Sequence, residues 1–360
     1  RTGVRSMIKR CFLLTVIMLV VLATGGSAMA HSEMPGGQYF TLIDENSNVI
    51  HLTGMMVNKG DEYISADNFR YKVVEIVGNT ARCIYQGKEQ MPKIKSARQG
   101  YNPKRYNPRQ NAWILEKNEV PAIGAKKPTV AIYHTHSDES YVPTDGTESI
   151  NGNGGIYDVG KTLADCLTRK GFNVAYSDNN HNPHDINAYN RSRRTAVSLI
   201  KENPDTIIDV HRDAVPPDQY QAEVKGEDVT KVKLVVGRQN PNMKTNLEYA
   251  KKIKAAMDAK EPGLSNGIFM GKGDYNQDLS PRSMLIEVGS HTNTKGEAER
   301  GVKLFADVLP AALGVSATEP AAKPATNDNQ GAGNVVLGII IILAAAAGGY
   351  YFINRGTTGK

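Results

Sequence analysis

Short apolar strands alternate with helices between residues 128 and 314, and this alternation is the strongest constraint on how the chain folds. Stretches such as TVAIY, TIIDV and SMLIEV carry the β-branched residues of buried strands, whereas the segments between them repeat apolar residues at helical spacing. Strands and helices that alternate at this length are typical of layered α/β domains with parallel sheets. We therefore predict an α/β fold for residues 128–314: a three-layer sandwich with a largely parallel central sheet.

The part of the chain before this domain has a different composition. Residues 31–88 contain about five runs rich in β-branched and aromatic residues, separated by turn-forming residues, which predicts a small all-β domain. Residues 89–127 are basic and rich in Pro and Asn, so we interpret them as a linker, and residues 315–334 as a flexible spacer. A chain of 360 residues exceeds what one core usually holds, which agrees with two folded units.

Both ends of the chain carry patterns of export and membrane insertion. Residues 1–30 combine a basic start, an apolar stretch and the small residues Ala28-Met29-Ala30, as a cleavable signal peptide does; an uncleaved anchor is the alternative. Residues 335–353 form an apolar run long enough to cross about 30 Å of hydrocarbon, followed by a cytoplasmic tail at 354–360. We predict a single-pass protein of the cell membrane in which residues 31–334 are extracytoplasmic. The net charge of +6 is modest, so nucleic acid is not a predicted partner.

Polar residues follow three strands of the predicted sheet, where functional groups gather in such folds. The imidazole of His136, the carboxylate of Glu139 and the imidazole of His211 supply two nitrogens and one oxygen. These three ligands leave the fourth tetrahedral position of a catalytic zinc for water. His134 is the alternative first ligand, because it leaves the same strand as His136 and alternation places both on one face. The ion that these residues predict is therefore Zn²⁺.

A hydrolytic zinc site also needs a separate carboxylate that takes the proton of the bound water. Glu287, at the end of a hydrophobic strand, is predicted to have this role. Arg212, beside a ligand candidate, and Asn276 and Gln277, in a Gly-rich loop, are predicted to contact substrate. Arg193 is a further candidate for binding a substrate carboxylate.

Other histidines and aspartates near these strands receive structural interpretations. His181 and His184 lie in an Asn- and Pro-rich loop and are interpreted as surface or substrate-side residues, not as ligands. Asp138 and Asp213 are expected to orient ligands or to stabilise their loops.

The motifs HTHSDESY, YNRSRRT, DVHRDA and NQDLSPRSMLIEVGSHTNTKGEA, in this order, resemble the stage II sporulation protein P family over residues 128–313. The family is similar to zinc N-acetylmuramoyl-L-alanine amidases, so the resemblance implies zinc at His136, Glu139 and His211, with Glu287 as the catalytic carboxylate. It further implies cleavage of the amide between N-acetylmuramic acid and L-alanine in peptidoglycan, and endopeptidase activity on peptide cross-links. The implied setting is septal wall remodelling and forespore engulfment, with stage II sporulation proteins D and M as partners.

Two other functions stay open at this point. A zinc carboxypeptidase that trims stem peptides would use an arginine, either Arg212 or Arg193, to capture a free carboxylate. A wall-binding scaffold would keep the fold without catalysis, although it has no need to retain four candidate site residues. The three hypotheses predict different products from peptidoglycan fragments.

Overall fold

A single mixed sheet organises the part of the chain that the computed structural model describes, which is Met34 and residues 37–94, 105–107, 112–114, 127–185 and 187–315. The strands are β1 (Phe40–Ile43), β2 (Val49–Thr53), β3 (Glu62–Ile64), β4 (Phe69–Val77), β5 (Thr80–Lys88), β6 (Arg105–Asn107), β7 (Ala112–Ile114), β8 (Thr129–Tyr133), β9 (Asn173–Tyr176), β10 (Thr206–Asp213), β11 (Gln221–Val224), β12 (Glu227–Thr230), β13 (Val232–Gly237), β14 (Ser265–Gly271) and β15 (Ser283–Ser290). The helices are α1 (Val142–Asp145), α2 (Ile156–Arg169), α3 (Ala188–Ile200), α4 (Met243–Lys260) and α5 (Lys295–Leu313).

Local sequence explains where the long helices begin and end. Helix α5 begins at a capping box, in which the Thr294 side chain accepts from the backbone N–H of Glu297 and the Glu297 side chain accepts from that of Thr294. It ends at Gly314, whose φ of 73° is left-handed. Helix α2 is followed by Gly171, whose φ of 87° is also left-handed.

The sheet within the described residues has eleven strands in the order β2-β1-β5-β4-β3-β14-β13-β15-β10-β8-β9. From β14 to β9 the neighbours run parallel, except for the antiparallel pair of β13 and β15. The prediction of an α/β fold with a largely parallel sheet is confirmed for this half, although the sheet as a whole is mixed. Outside this sheet, β11 pairs with β12, and β6 pairs with β7 inside the segment interpreted as a linker.

The first five strands form as predicted, but they are not a separate all-β domain. Strand β3 pairs antiparallel with β14, which joins β1–β5 to the α/β half in one sheet. Their apolar side chains also share a core with the α/β half, in which Phe40, Val73 and Cys83 cluster with Val235 and Leu285. The sequence showed the strands but not this pairing, because hydrogen bonds between distant strands leave no local pattern.

Side chains alternate between the two faces of the sheet, and both faces are covered. Val130 and Ile132 of β8 pack in one large core with α2, α4 and α5, whereas Ala131 and Tyr133 face a smaller core with α3. The second face is completed by the N-terminal strands rather than by further helices. A regular three-layer sandwich is therefore not confirmed.

Several predicted segments lie outside the described residues. These are the signal peptide at 1–30, all but the first residue of the spacer at 315–334, the membrane span at 335–353 and the tail at 354–360. Among the residues that the structure describes, no helix combines the length and the apolar character needed to cross a membrane.

Candidate active site

Three neighbouring strands end in the polar residues that the sequence singled out. Strands β15, β10 and β8 lie side by side in that order and run parallel. The register places Asp209 of β10 opposite Tyr133 of β8, and His211 opposite Glu287 of β15. The residues that follow β8 therefore meet the ends of the other two strands at one edge of the sheet.

His134 lies on the side of the sheet that helix α2 covers, and its ring packs against this helix. Its Nδ1 is 3.0 Å from the carbonyl oxygen of Val210, and its Nε2 is 3.2 Å from the hydroxyl of Tyr176. A Cβ added to Gly160 of helix α2 would overlap the imidazole, so the helix lies directly against this ring. With both ring nitrogens in hydrogen bonds, His134 is a structural residue in this arrangement.

His136 lies on the opposite side and contacts His211. Their ring centroids are 5.2 Å apart with nearly perpendicular planes, and Tyr189 also packs edge-on to His136, at 5.7 Å. The prediction that alternation places His134 and His136 on one face is wrong, because β8 ends at Tyr133 and the chain turns before His136. Of the two alternatives for the first ligand, the structure brings His136 to His211.

His211 lies between two buried carboxylates. Its Nδ1 is 3.2 Å from Glu139 Oε1, and its Nε2 is 3.0 Å from Asp209 Oδ1. Asp209 also accepts hydrogen bonds from the backbone N–H and the hydroxyl of Thr135, and Glu139 Oε2 accepts from the backbone N–H of Arg212. Burial lowers the pKa of His211, but the charges of Asp209 and Glu139 outweigh it and hold that pKa well above its usual value.

Glu287 lies beside His211 on the same face of the sheet as Leu285, and its side chain is 3% exposed. Burial and the nearby carboxylate of Asp213 raise the pKa of Glu287 to about 8, against the opposing charges of Lys233 and His211. Among the described residues, Oε2 of this carboxyl group has no hydrogen-bond partner. A buried and under-satisfied carboxyl group beside an imidazole is typical of a functional site.

His184 belongs to the site, although its sequence context suggested only the surface or the substrate side. Its ring stacks on that of His136 with 3.8 Å between centroids and 8° between planes, and its Nδ1 is 3.1 Å from Asp138 Oδ1. Burial raises the pKa of Asp138, but His184 and Ser149 outweigh it and lower the pKa to about 2. His181 is buried rather than at the surface, and its Nδ1 is 2.7 Å from the carbonyl oxygen of His134.

The two amides predicted to contact substrate are part of the protein interior instead. The Asn276 side chain donates to Ser192 Oγ, at 3.1 Å, and accepts from an arginine guanidinium. The Gln277 side chain donates to the carbonyl oxygen of Val235 and accepts from the backbone N–H of Gly237, both at 2.8 Å. Because both amides are buried and hydrogen-bonded within the fold, the substrate role predicted for them is not supported.

The two arginines considered for binding a substrate carboxylate already have protein partners. Arg193 forms a forked ion pair with Asp278. Arg212 is buried, and its Nη2 donates to the carbonyl oxygen of Glu148 at 3.1 Å. The Arg193 side chain is 35% exposed but is paired with Asp278, and the Arg212 side chain is buried, so the structure does not favour either as a docking point for a free carboxylate.

Asp209 and Tyr189 contribute to the site and were not singled out from the sequence. Asp209 is a charged residue within the apolar stretch TIIDV. Because a buried charge requires a partner, this residue could have been recognised from the sequence as part of a polar site. Tyr189 stacks on His211 with 6.4 Å between centroids, and no local pattern identifies it.

His136, Glu139 and His211 are residue types that bind zinc, but their side chains are not already arranged as a metal site. Among the described residues, no group of three or more His, Cys, Asp or Glu side chains is arranged to hold a metal ion. The 3.2 Å between His211 Nδ1 and Glu139 Oε1 is nevertheless close to the roughly 3.4 Å that separates two ligand atoms of tetrahedral zinc. Two imidazoles and a carboxylate are also ligands that zinc prefers. A metal ion bound by His211 Nδ1 and Glu139 would replace the hydrogen bond between these two groups.

The chain was compared with known protein families and curated proteins. The family model described as stage II sporulation protein P matches residues 53–310. Stage II sporulation protein P of Bacillus subtilis (strain 168) is 31% identical over 213 residues, which are 54% of this chain and 53% of the relative. The chain thus spans about half the length of this relative. The family match begins at Thr53, so it includes β3–β5, which the sequence motifs had left outside the resemblance.

Solved structures give weaker similarities. The N-acetylmuramoyl-L-alanine amidase from Clostridium difficile 630 is 16% identical with a TM-score of 0.34, over 52% of this chain and 95% of that one. The CwlD amidase from Clostridioides difficile, in complex with the GerS lipoprotein, is 13% identical with a TM-score of 0.36, over 53% of this chain and 100% of that one. At these values the similarities do not bear on what this chain binds or cleaves.

Proposed function

Because this chain belongs to the stage II sporulation protein P family, we propose that it is a zinc-dependent peptidoglycan hydrolase. The bond cleaved is the amide between N-acetylmuramic acid and L-alanine, with peptide cross-links as a second substrate. One observation carries the proposal: the buried, under-satisfied carboxyl group of Glu287 lies beside His211, which contacts both His136 and Glu139. Amide hydrolysis at a metal site needs this combination of ligands and a separate proton acceptor.

His136, Glu139 and His211 are the residues that would hold the ion. A bound zinc ion polarises the scissile carbonyl and lowers the pKa of a bound water towards roughly 7. Glu287 takes the proton from the attacking water and passes it to the leaving nitrogen, after which it is again a carboxylate. His184 supports the His136 ring by stacking, and Asp209 fixes the orientation of His211 through its Nε2.

The setting is also a proposal. We place the hydrolase outside the cytoplasm at the cell membrane, where it remodels septal wall during engulfment together with stage II sporulation proteins D and M. The apolar run at 335–353 and the family support this setting. No observation favours a carboxypeptidase, because Arg193 and Arg212 are both engaged within the protein.

Product analysis of purified muropeptides tests the proposal directly. The amidase releases whole stem peptides from the glycan, whereas a carboxypeptidase removes a single terminal residue. Digestion by the zinc-loaded chain should yield free stem peptides, and a chelator should stop their release. Products that lack only a terminal residue, or no products at all, would refute the proposed activity.

Zinc affinity should depend steeply on pH. Because Asp209 and Glu139 raise the pKa of His211 well above its usual value, the metal-free protein holds this imidazole protonated at neutral pH. Zinc binds neutral imidazole, so each ion must displace a proton, and affinity should rise as the pH rises. Calorimetry in buffers of different ionisation enthalpy measures this proton release. Zinc binding at pH 7 without proton release would contradict the protonated His211.

A further inference from the structure

A fully buried lysine lies next to the candidate general base. Lys233 of β13 is paired in antiparallel register with Glu287 of β15. Val235 and Leu285, two residues along each strand, lie in the same core, so Lys233 and Glu287 point to the same face of the sheet. A single Lys inside the stretch VKLVV resembles an exposed position on a strand, so its burial cannot be predicted from the local sequence.

The Lys233 ammonium makes two polar contacts that are visible in the structure. It forms an ion pair with Asp213, and its Nζ is 3.0 Å from the hydroxyl of Thr53. Asp213 has other partners as well, since the backbone N–H of Gly54 and the hydroxyl of Tyr220 each donate to it at 2.8 Å. Asp213 is therefore held in place by groups other than the lysine.

The carboxyl group of Glu287, the cross-strand neighbour of Lys233, has fewer hydrogen bonds than that of Asp213 among the described residues. Its Oε2 is buried with no hydrogen-bond partner among the described residues, whereas an ammonium has three N–H donors. Two of these donors are accounted for by Asp213 and Thr53. The cross-strand register brings Lys233 next to Glu287, so the positive charge of the ammonium attracts the Glu287 carboxylate.

We propose that Lys233 is a positioning residue that orients the Glu287 carboxylate and keeps it ionised until it takes the proton of the attacking water. This inference rests on the proposed hydrolase function. Lys233 stays protonated throughout: the proton of the water moves to Glu287 and then to the leaving nitrogen, and the lysine neither gives nor accepts one. Thr53 and Gly54 hold the Lys233–Asp213 pair from the end of β2, which makes the N-terminal strands part of the catalytic centre.

The test must distinguish a loss of activity from a loss of stability. Lys233→Met alone leaves the buried Asp213 charge without its counter-ion, which lowers the stability of the folded protein. The double variant Lys233→Met/Asp213→Asn removes both charges together. In the full chain, we expect this variant to fold and to bind zinc. Its kcat on muropeptides should be about 10- to 100-fold lower, with KM changed less than about twofold. Lys233→Arg/Asp213→Asn, which restores a positive charge, should recover part of kcat.

A matched control comes from another fully buried lysine, Lys254, whose Nζ is 2.8 Å from Asp258 Oδ2 in helix α4. Lys254→Met/Asp258→Asn removes the ion pair of this second buried lysine, whose partner carboxylate is 34% exposed, on the opposite side of the sheet and should leave kcat unchanged. Wild-type kcat in the Lys233→Met/Asp213→Asn variant would overturn the positioning role alone, since Lys233 would then only neutralise Asp213. A wild-type chain that does not cleave muropeptides would instead refute the proposed function, and this role with it.

Discussion

Replacing His211 with alanine should remove zinc and reduce amide cleavage by a factor on the order of a thousand or more. His211 is the residue that contacts His136 and Glu139 alike, so without it the remaining donors no longer surround one point. The substitution also leaves Asp209 and Glu139 as buried carboxylates without their shared counter-ion, which should lower the free energy of unfolding by about 3–5 kcal/mol. Metal analysis, muropeptide digestion and urea denaturation of one preparation measure the three effects.

His134 provides the matched control for this variant. It is another buried histidine at the edge of the same sheet, but its ring lies under helix α2 and its nitrogens contact Val210 and Tyr176. His134→Ala should therefore lower stability while one zinc per chain remains bound. Loss of zinc in His134→Ala together with its retention in His211→Ala would show that the ligand assignment is wrong.

Replacing Glu287 with glutamine should lower kcat by about 10²- to 10⁴-fold while zinc binding is retained. Glutamine has nearly the same shape as glutamate but cannot take a proton from water. Muropeptide cleavage rates with parallel metal analysis separate this loss from the loss of zinc in His211→Ala. Cleavage at the wild-type rate would exclude Glu287 as the proton acceptor.

The same substitution has an expected effect on stability, which serves as its folding control. The folded-state pKa of Glu287, about 8, lies above its ordinary value of 4.5, so folding favours the protonated carboxyl group. The metal-free wild type should therefore lose stability as the pH rises from about 4.5 to about 8, and Glu287→Gln should lose less. Thermal unfolding of both proteins across this range measures the difference.

Much of the α/β half was predictable, because its information is local. Apolar runs such as TVAIY and TIIDV mark buried strands, and the spacing of apolar residues in α2 and α4 marks helices. Parallel strands bring their carboxyl ends to one edge, so the polar residues that follow them meet there. This is why sequence alone could single out His136, Glu139, His211 and Glu287 as residues that lie close together.

The features that were missed depend on contacts between distant segments. The pairing of β3 with β14 and the contact of Thr53 with Lys233 join segments about 180 to 200 residues apart, and neither leaves a local pattern. The choice between His134 and His136 depended on where β8 stops. Asn276 and Gln277 were predicted to be loop residues that face substrate, yet their amides point into the protein and donate hydrogen bonds to Ser192 and to the carbonyl oxygen of Val235.

X-ray absorption spectroscopy of the zinc-loaded chain tests most directly whether His136, Glu139 and His211 surround one ion. We predict a four-coordinate zinc with two imidazole nitrogens at about 2.0–2.1 Å and oxygen ligands at about 2.0–2.2 Å. In His136→Ala and in His211→Ala the imidazole contribution should fall by half or vanish with the metal. A zinc ion without imidazole ligands, or one whose imidazole contribution in both variants equals that of the wild type, would contradict the site described above.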